Sequence, residues 1–267
     1  MTDIILAIIF VITILVLILI LFLRNRKPAE TLTVLNPVYT DLLEKNIPFY
    51  NDLVPAQKIL FQQQVEKFLE QVRISGINTV VEDSDRIMIA ASAIIPIFYF
   101  PGWEYCNLDE VLLYPDAFDE NFRQEGTERN MLGVVGDGSF QRVMILSRHA
   151  LREGFSNRTG KSNTAIHEFV HLVDKTDGAI DGIPQLLMEN SYVLPWVELM
   201  RKNIMLIKEQ DSDIDTYGAT NTAEFFAVAS EYFFERPDLL KAKHPELYET
   251  LSRIFGHYNG LKVSNEK

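Results

Sequence analysis

The chain has 267 residues, enough for one sizeable domain, and its formal net charge is −12. Without Asp3 and the basic cluster Arg24, Arg26 and Lys27, the rest of the chain carries a formal net charge of about −14. Phosphate backbones repel such a surface, so we expect no direct binding of nucleic acid. A single cysteine, Cys106, also excludes a disulfide framework within the chain.

Residues 4–23 predict a transmembrane anchor. This stretch has no charged side chain, and Thr13 is its one polar residue. As a helix it spans roughly 30 Å, the thickness of a bilayer core. A cleaved signal peptide is the alternative, but it needs a basic start and small residues at its end, whereas this segment starts with Asp3 and ends in Phe22-Leu23-Arg24. The basic residues after the span place residues 1–27 as an anchor with a cytoplasmic flank.

The next segment reads as a linker followed by two helices. Pro28 to Pro37 has two prolines and no periodicity, and we place the linker at residues 28–40 and a domain at residues 41–267. Apolar residues between Phe61 and Val72 recur at helical spacing. Asp85 to Phe100 predicts a second helix, which Pro96 should bend or end.

Strand patterns come next, and helical patterns return after them. Glu110 to Tyr114 is a short apolar run that Pro115 stops, while Leu132–Val135 and Arg142–Ser147 flank Gly136-Asp137-Gly138 as a hairpin would. The later helices are predicted at Asn163–Lys175, Tyr192–Lys208 and Thr222–Phe234. The fold class is therefore α+β and mainly helical, with a small sheet, preceded by one transmembrane helix.

The helix at Asn163–Lys175 contains the pattern H-E-x-x-H. Residues four apart share a helix face, so His167 and His171 can reach one metal ion, and Glu168 can address a water molecule there. Histidines of a core without metal are the alternative, but two imidazoles and a carboxylate are costly on so apolar a helix unless they are paired.

The third metal ligand is open on residue chemistry alone. Asp177 lies ten residues after His167, but zinc enzymes with a local third ligand need a glycine where this chain has Asp174. Glu224 and Glu231 share one face of a later helix. Glu224 also resembles the end of a capping box that begins at Asn221, in which case it would only cover backbone amides.

Beyond this pattern, the chain resembles the Mlc titration factor A family of bacterial zinc peptidases, in the gluzincin class. The similarity extends back to about residue 40, and its strongest stretches lie in the second half of the chain: His167–Asp174, Asp177-Gly178, Asp181–Pro184, Ile214–Tyr217, Ala223–Val228 and Ser230–Phe234. The resemblance implies a zincin-like metallopeptidase domain.

The same resemblance implies roles for individual residues. His167, His171 and Glu224 would hold one Zn²⁺ ion, with Glu168 as general base. Tyr217 would donate a hydrogen bond to the oxyanion of the tetrahedral intermediate. Glu231 would then support the site or pack beside it, and Asp174 would orient a histidine or simply end the helix. Residue 228 is a valine, so the supporting acid that other gluzincins carry four residues after the third ligand is not reproduced.

We therefore expect a peptidase at the bacterial inner membrane, with its soluble domain in the cytoplasm. Peptides are the expected substrate, and the family implies a preference for short peptides or free N-termini. An extended peptide is expected to pair with the edge of the strand Arg142–Ser147. The alternative function is a membrane-tethered regulator that sequesters a transcriptional repressor, with catalysis secondary, as the family also implies.

Overall fold

A computed structural model describes residues 36–100, 102–119, 123–124, 131–136, 142–157 and 159–256. The predicted anchor at residues 4–23, and residues 28–35 of the predicted linker, lie outside the described residues. Within the described ranges, no helix combines the length and the apolar character needed to cross a membrane.

The described residues form ten α-helices and four strands. In chain order the helices are α1 (Pro37–Asn46), α2 (Pro48–Asn51), α3 (Pro55–Gln71), α4 (Asp83–Ile97), α5 (Arg148–Ser156), α6 (Thr164–Asp174), α7 (Asn190–Lys208), α8 (Thr222–Glu235), α9 (Pro237–Lys243) and α10 (Pro245–Ile254). The strands are β1 (Arg73–Gly76), β2 (Glu110–Tyr114), β3 (Gly133–Val135) and β4 (Val143–Ser147). The mainly helical α+β prediction is confirmed.

The predicted linker extends too far along the chain. Helix α1 begins at Pro37, so residues 37–40 are helical. The Asn36 side chain accepts a hydrogen bond from the backbone N–H of Val38, and Pro37 supplies the φ angle that a first helical residue needs. Asparagine followed by proline is a helix start as well as a linker signal.

The four strands form one mixed sheet in the order β1-β2-β4-β3. Strands β1, β2 and β4 are parallel, and β3 pairs antiparallel with β4 as the predicted hairpin requires. Since β4 lies between β2 and β3, its backbone groups are already paired on both sides. The prediction that a peptide pairs with the edge of Arg142–Ser147 is therefore wrong, and the sheet edge on this side belongs to β3.

Helix α6 lies at the centre of the core. Every residue from Ala165 to Asp174 is buried, and the helix packs against α4, α8 and strand β3. Helix α4 is buried from Ile87 to Ile97 and ends one residue after Pro96, which has no N–H to donate to the carbonyl group of Ser92 one turn earlier. Two apolar helices and the sheet thus hold α6 in place along its whole length.

Candidate metal centre

The two histidines of α6 and Glu224 of α8 converge on one point. His167 Nε2 lies 3.0 Å from Glu224 Oε2 and 3.1 Å from His171 Nε2, and His171 Nε2 lies 3.4 Å from the same oxygen. Among the described residues these three are the group able to hold a metal ion together, with their ligand atoms within 4.8 Å of one another. Residue chemistry alone left three acids open and the family resemblance implied Glu224, which is the acid that the structure brings to the histidines.

Helix caps fix the two helices that carry these side chains. The Asn163 side chain accepts from the N–H of Ile166 at the start of α6, and the Asn221 side chain accepts from the N–H of Glu224 at the start of α8. The Glu224 backbone therefore takes part in the predicted cap. Its carboxylate does not cover backbone amides, because it points at the histidines instead.

The other two acids have different partners. The Asp177 carboxylate accepts from the backbone N–H groups of Ala179 and Gln185, so it shapes the turn after α6. Glu231 Oε1 lies 2.7 Å from His167 Nδ1, and its Oε2 accepts the N–H of Asn163 at 2.5 Å. A carboxylate at Nδ1 fixes the proton on that nitrogen and leaves Nε2 to face a metal. Glu231 thus supports His167 from a position seven residues after Glu224, not four.

His171 lacks an equivalent support. Its Nδ1 is buried and has no hydrogen-bond partner among the described residues, and the same holds for Asp174 Oδ1. The other Asp174 oxygen accepts the N–H of Gly182 at 2.8 Å. Burial raises the pKa of Asp174 to about 6. Asp174 therefore holds the segment that follows α6 rather than hydrogen-bonding His171.

Glu168 lies on α6 beside the converging atoms, opposite Gly133 of the edge strand. A Cβ atom at position 133 would lie 2.7 Å from Glu168 Cγ and 2.8 Å from Oε1, closer than a Cβ atom approaches its neighbours, so Glu168 would have to shift. Burial raises the pKa of Glu168, while the two histidines lower it. No sequence signal linked Gly133 to the site, because the glycine and the glutamate meet only through packing of β3 on α6.

Tyr217 lies at the open side of the cluster. It sits on a 3-10 turn, Thr216–Ala219, where the Asp215 side chain accepts its backbone N–H. Its ring centroid is 6.0 Å from that of His167, and 55 % of the residue is exposed. Burial of part of the ring and the charge of Glu224 both raise the pKa of its phenol, which keeps the proton available for donation.

The charge of the cluster is unbalanced. Hydrogen bonds to Glu224 and Glu231 outweigh the effect of burial and raise the pKa of His167 to about 10. At Glu224, burial raises the pKa of the carboxyl group, but the hydrogen bonds from the two histidines outweigh it and lower this pKa to about 2. No lysine or arginine is among the groups that shift these pKa values. Two imidazoles and three carboxylates thus meet in a buried place without a permanent cation from the described chain.

A divalent metal fits this donor set. Donor atoms about 2.0–2.1 Å from a tetrahedral zinc ion lie roughly 3.3 Å apart. The three separations found here, 3.0, 3.1 and 3.4 Å, are close to that value. Two histidines and one carboxylate are also a ligand set that catalytic zinc sites use, with the fourth position left for water or substrate.

The chain is similar to known proteins over most of its length. The family described as glucose-regulated metallo-peptidase M90 matches residues 22–256. A Synechocystis sp. protein named uncharacterized protein slr2042 is 30% identical over 267 aligned residues, which cover 95% of this chain and 96% of the relative. Mlc titration factor A of Escherichia fergusonii is 30% identical over 90% of this chain and 93% of its own length. The protein of the same name from Cronobacter sakazakii is 29% identical over 79% and 83%.

Proposed function

This chain belongs to the glucose-regulated metallo-peptidase M90 family, and on that premise we propose that it is a zinc-dependent peptidase with its centre at His167, His171 and Glu224. The observation that carries the proposal is the convergence of two Nε2 atoms and one carboxylate oxygen at the separations of a tetrahedral zinc site. Zinc in such a site supplies a Lewis acid that lowers the pKa of water and polarises a carbonyl group.

The remaining groups perform the acid–base steps. Glu168, buried beside the cluster, takes a proton from the attacking water and returns it to the leaving amine. The Tyr217 phenol donates a hydrogen bond to the oxygen that becomes negative as the carbonyl is attacked. Glu231 keeps the proton of His167 on Nδ1 throughout, because its carboxylate accepts there.

The unpaired edge of strand β3 is the proposed binding site for the substrate peptide. It pairs with β4 on one side, and no described strand pairs with its other side. An extended peptide that adds to this edge runs past Gly133, next to Glu168. We propose that the peptide is short and that its free N-terminus is recognised, as in an aminopeptidase.

Hydrolysis by the full-length chain tests the proposal. Glu168→Gln keeps the size of the side chain and removes the base, so we expect a rate about 10²–10⁴-fold lower with unchanged zinc content. The matched control is Glu209→Gln at an exposed carboxylate outside the site, which should keep the wild-type rate. Comparing a short peptide with its N-acetylated form tests the aminopeptidase preference. A Glu168→Gln enzyme that is fully active would refute the role of this residue.

A second function is favoured by the names of the relatives. Proteins called Mlc titration factor A share 29–30% identity with most of this chain, and that name describes an action on Mlc. We propose as the alternative that this chain binds a transcriptional repressor, held at the bacterial inner membrane by residues 4–23 with the domain in the cytoplasm. A regulatory phenotype that survives Glu168→Gln would favour binding over hydrolysis.

A further inference from the structure

A cavity of about 140 Å³ lies on the side of α6 that faces α4 and α5. Six of the residues that line it are apolar: Pro48, Phe49, Ile95, Phe155, Ile166 and Phe234. An apolar cavity of comparable volume, about 150 Å³, stays dry in another protein and binds benzene. This cavity is therefore large enough for a ring or a branched chain of about six heavy atoms.

The seventh lining residue, Glu235, is the one with an ionisable side chain. Its Oε1 accepts a hydrogen bond from Asn163 Nδ2 at 2.9 Å, and its Oε2 forms no hydrogen bond with the described residues. Burial raises the pKa of Glu235 to about 7, the Asn163 amide acts against this shift, and the charge of Glu231 adds to it. Glu235 is thus a carboxyl group in an apolar wall, with one oxygen left for a partner.

The missing partner is a cation. Among the described residues, the cavity lining contains no lysine, arginine or histidine that would neutralise Glu235. A net charge of −12 favours the approach of positive ligands over negative ones. We propose that this cavity binds a small organic cation, an ammonium group on an apolar body of about six heavy atoms, with the ammonium on Glu235 and the body among the apolar side chains.

The position of Glu235 connects such a ligand with the metal helix. The Asn163 side chain donates to Glu235, and the Asn163 backbone N–H donates to Glu231. The second oxygen of Glu231 lies against Nδ1 of His167. Three consecutive contacts therefore lead from the cavity to the proposed ligand His167, through the residue that caps α6.

Calorimetric titration of the full-length, zinc-free chain with benzylammonium tests the proposal, with neutral benzyl alcohol as the matched probe. Because no zinc is present, a failure of the peptidase proposal leaves this test unaffected. A charged hydrogen bond in an apolar wall predicts that benzylammonium binds roughly ten- to a hundredfold more tightly than benzyl alcohol. The amide resonances of the Asn163 side chain should shift as the cation binds.

Three variants locate the site. Glu235→Gln keeps the shape of the side chain and should abolish the preference for the cation, whereas Glu209→Gln, at an exposed carboxylate, should preserve it. Phe155→Trp fills part of the cavity and should weaken both probes alike. A wild-type chain that binds both probes equally or binds neither, or a Glu235→Gln variant that keeps the preference, would overturn the proposal.

Discussion

The Asp85 region and the His167 region both bury carboxylates, yet they balance the charge in different ways. Asp85 has no exposed surface, and it forms ion pairs with Arg152 Nη2 at 2.7 Å and Arg148 Nη2 at 3.1 Å. It also accepts the backbone N–H of Glu82 at 3.0 Å. Glu224 and Glu231 instead meet two imidazoles, which are neutral or charged according to their protonation.

This difference separates a structural ion pair from the proposed metal centre. A buried carboxylate is costly unless a cation and hydrogen bonds compensate for the lost water. Around Asp85 the chain supplies two permanent cations, so the balance is complete when the protein folds. Around His167 it supplies ligands that prefer a divalent ion, which is why the charge there depends on what binds. Four substitutions test this contrast.

Glu224→Gln should have the largest effect. It removes one of three proposed ligands, so we expect zinc affinity to fall roughly a thousandfold, beyond the 10–100-fold that follows loss of an outer hydrogen bond. Zinc content after dialysis against a weak chelator measures it. Asp177→Gln is the control, since that carboxylate binds turn amides. Equal zinc affinity in both variants would contradict the assignment of Glu224.

Asp85→Asn should reduce stability but not metal content. It leaves the guanidinium groups of Arg148 and Arg152 without their buried counter-charge. We expect a loss of roughly 3 kcal/mol, the low end for a broken buried pair, because Arg152 is partly exposed. Urea denaturation measures this loss. A folded variant that loses its zinc would show that the two regions are not independent.

Glu231→Gln should weaken metal binding without abolishing it. An amide at this position holds Nδ1 of His167 less firmly than a carboxylate does, so zinc affinity should fall about 10–100-fold. A competitive chelator titration gives the affinity. If the variant binds zinc as tightly as wild type does, Glu231 only packs beside the site and does not support His167.

Glu235 provides a third case, a partly buried carboxyl group without a cationic partner among the described residues. Burial raises its pKa to about 7 from the ordinary glutamate value of 4.5, so the folded state prefers the protonated acid. Its contribution to stability is therefore full below pH 4.5 and is lost as the pH rises through 7. Relative to wild type, Glu235→Gln should gain roughly 2–3 kcal/mol of stability between pH 5 and pH 8. The free energy of unfolding of wild type and variant, measured at pH 5 and at pH 8, tests this difference. An equal change with pH in the two proteins would contradict the prediction.

Local patterns determined most of the secondary structure in advance. Glu110–Tyr114 is a strand with the predicted bounds. Helix α6 is one residue shorter than predicted at each end, and α8 is one residue longer at its C-terminal end. Alternating or helical spacing of apolar residues carries this information, because each pattern reflects one buried face. Helix α1 was not predicted, because asparagine and proline serve both linkers and helix starts.

The sequence by itself determined that His167 and His171 share a helix face, because a spacing of four residues closes one helical turn. Spacing alone could not decide which acids join them, and the tertiary structure shows which ones do. Glu224 and Glu231 lie 57 and 64 residues after His167, and no local periodicity relates positions so far apart. Packing of α8 on α6 aims Glu224 at Nε2 and Glu231 at Nδ1, and packing of β3 on α6 brings Gly133 to Glu168. Such contacts depend on how whole helices and strands meet in three dimensions.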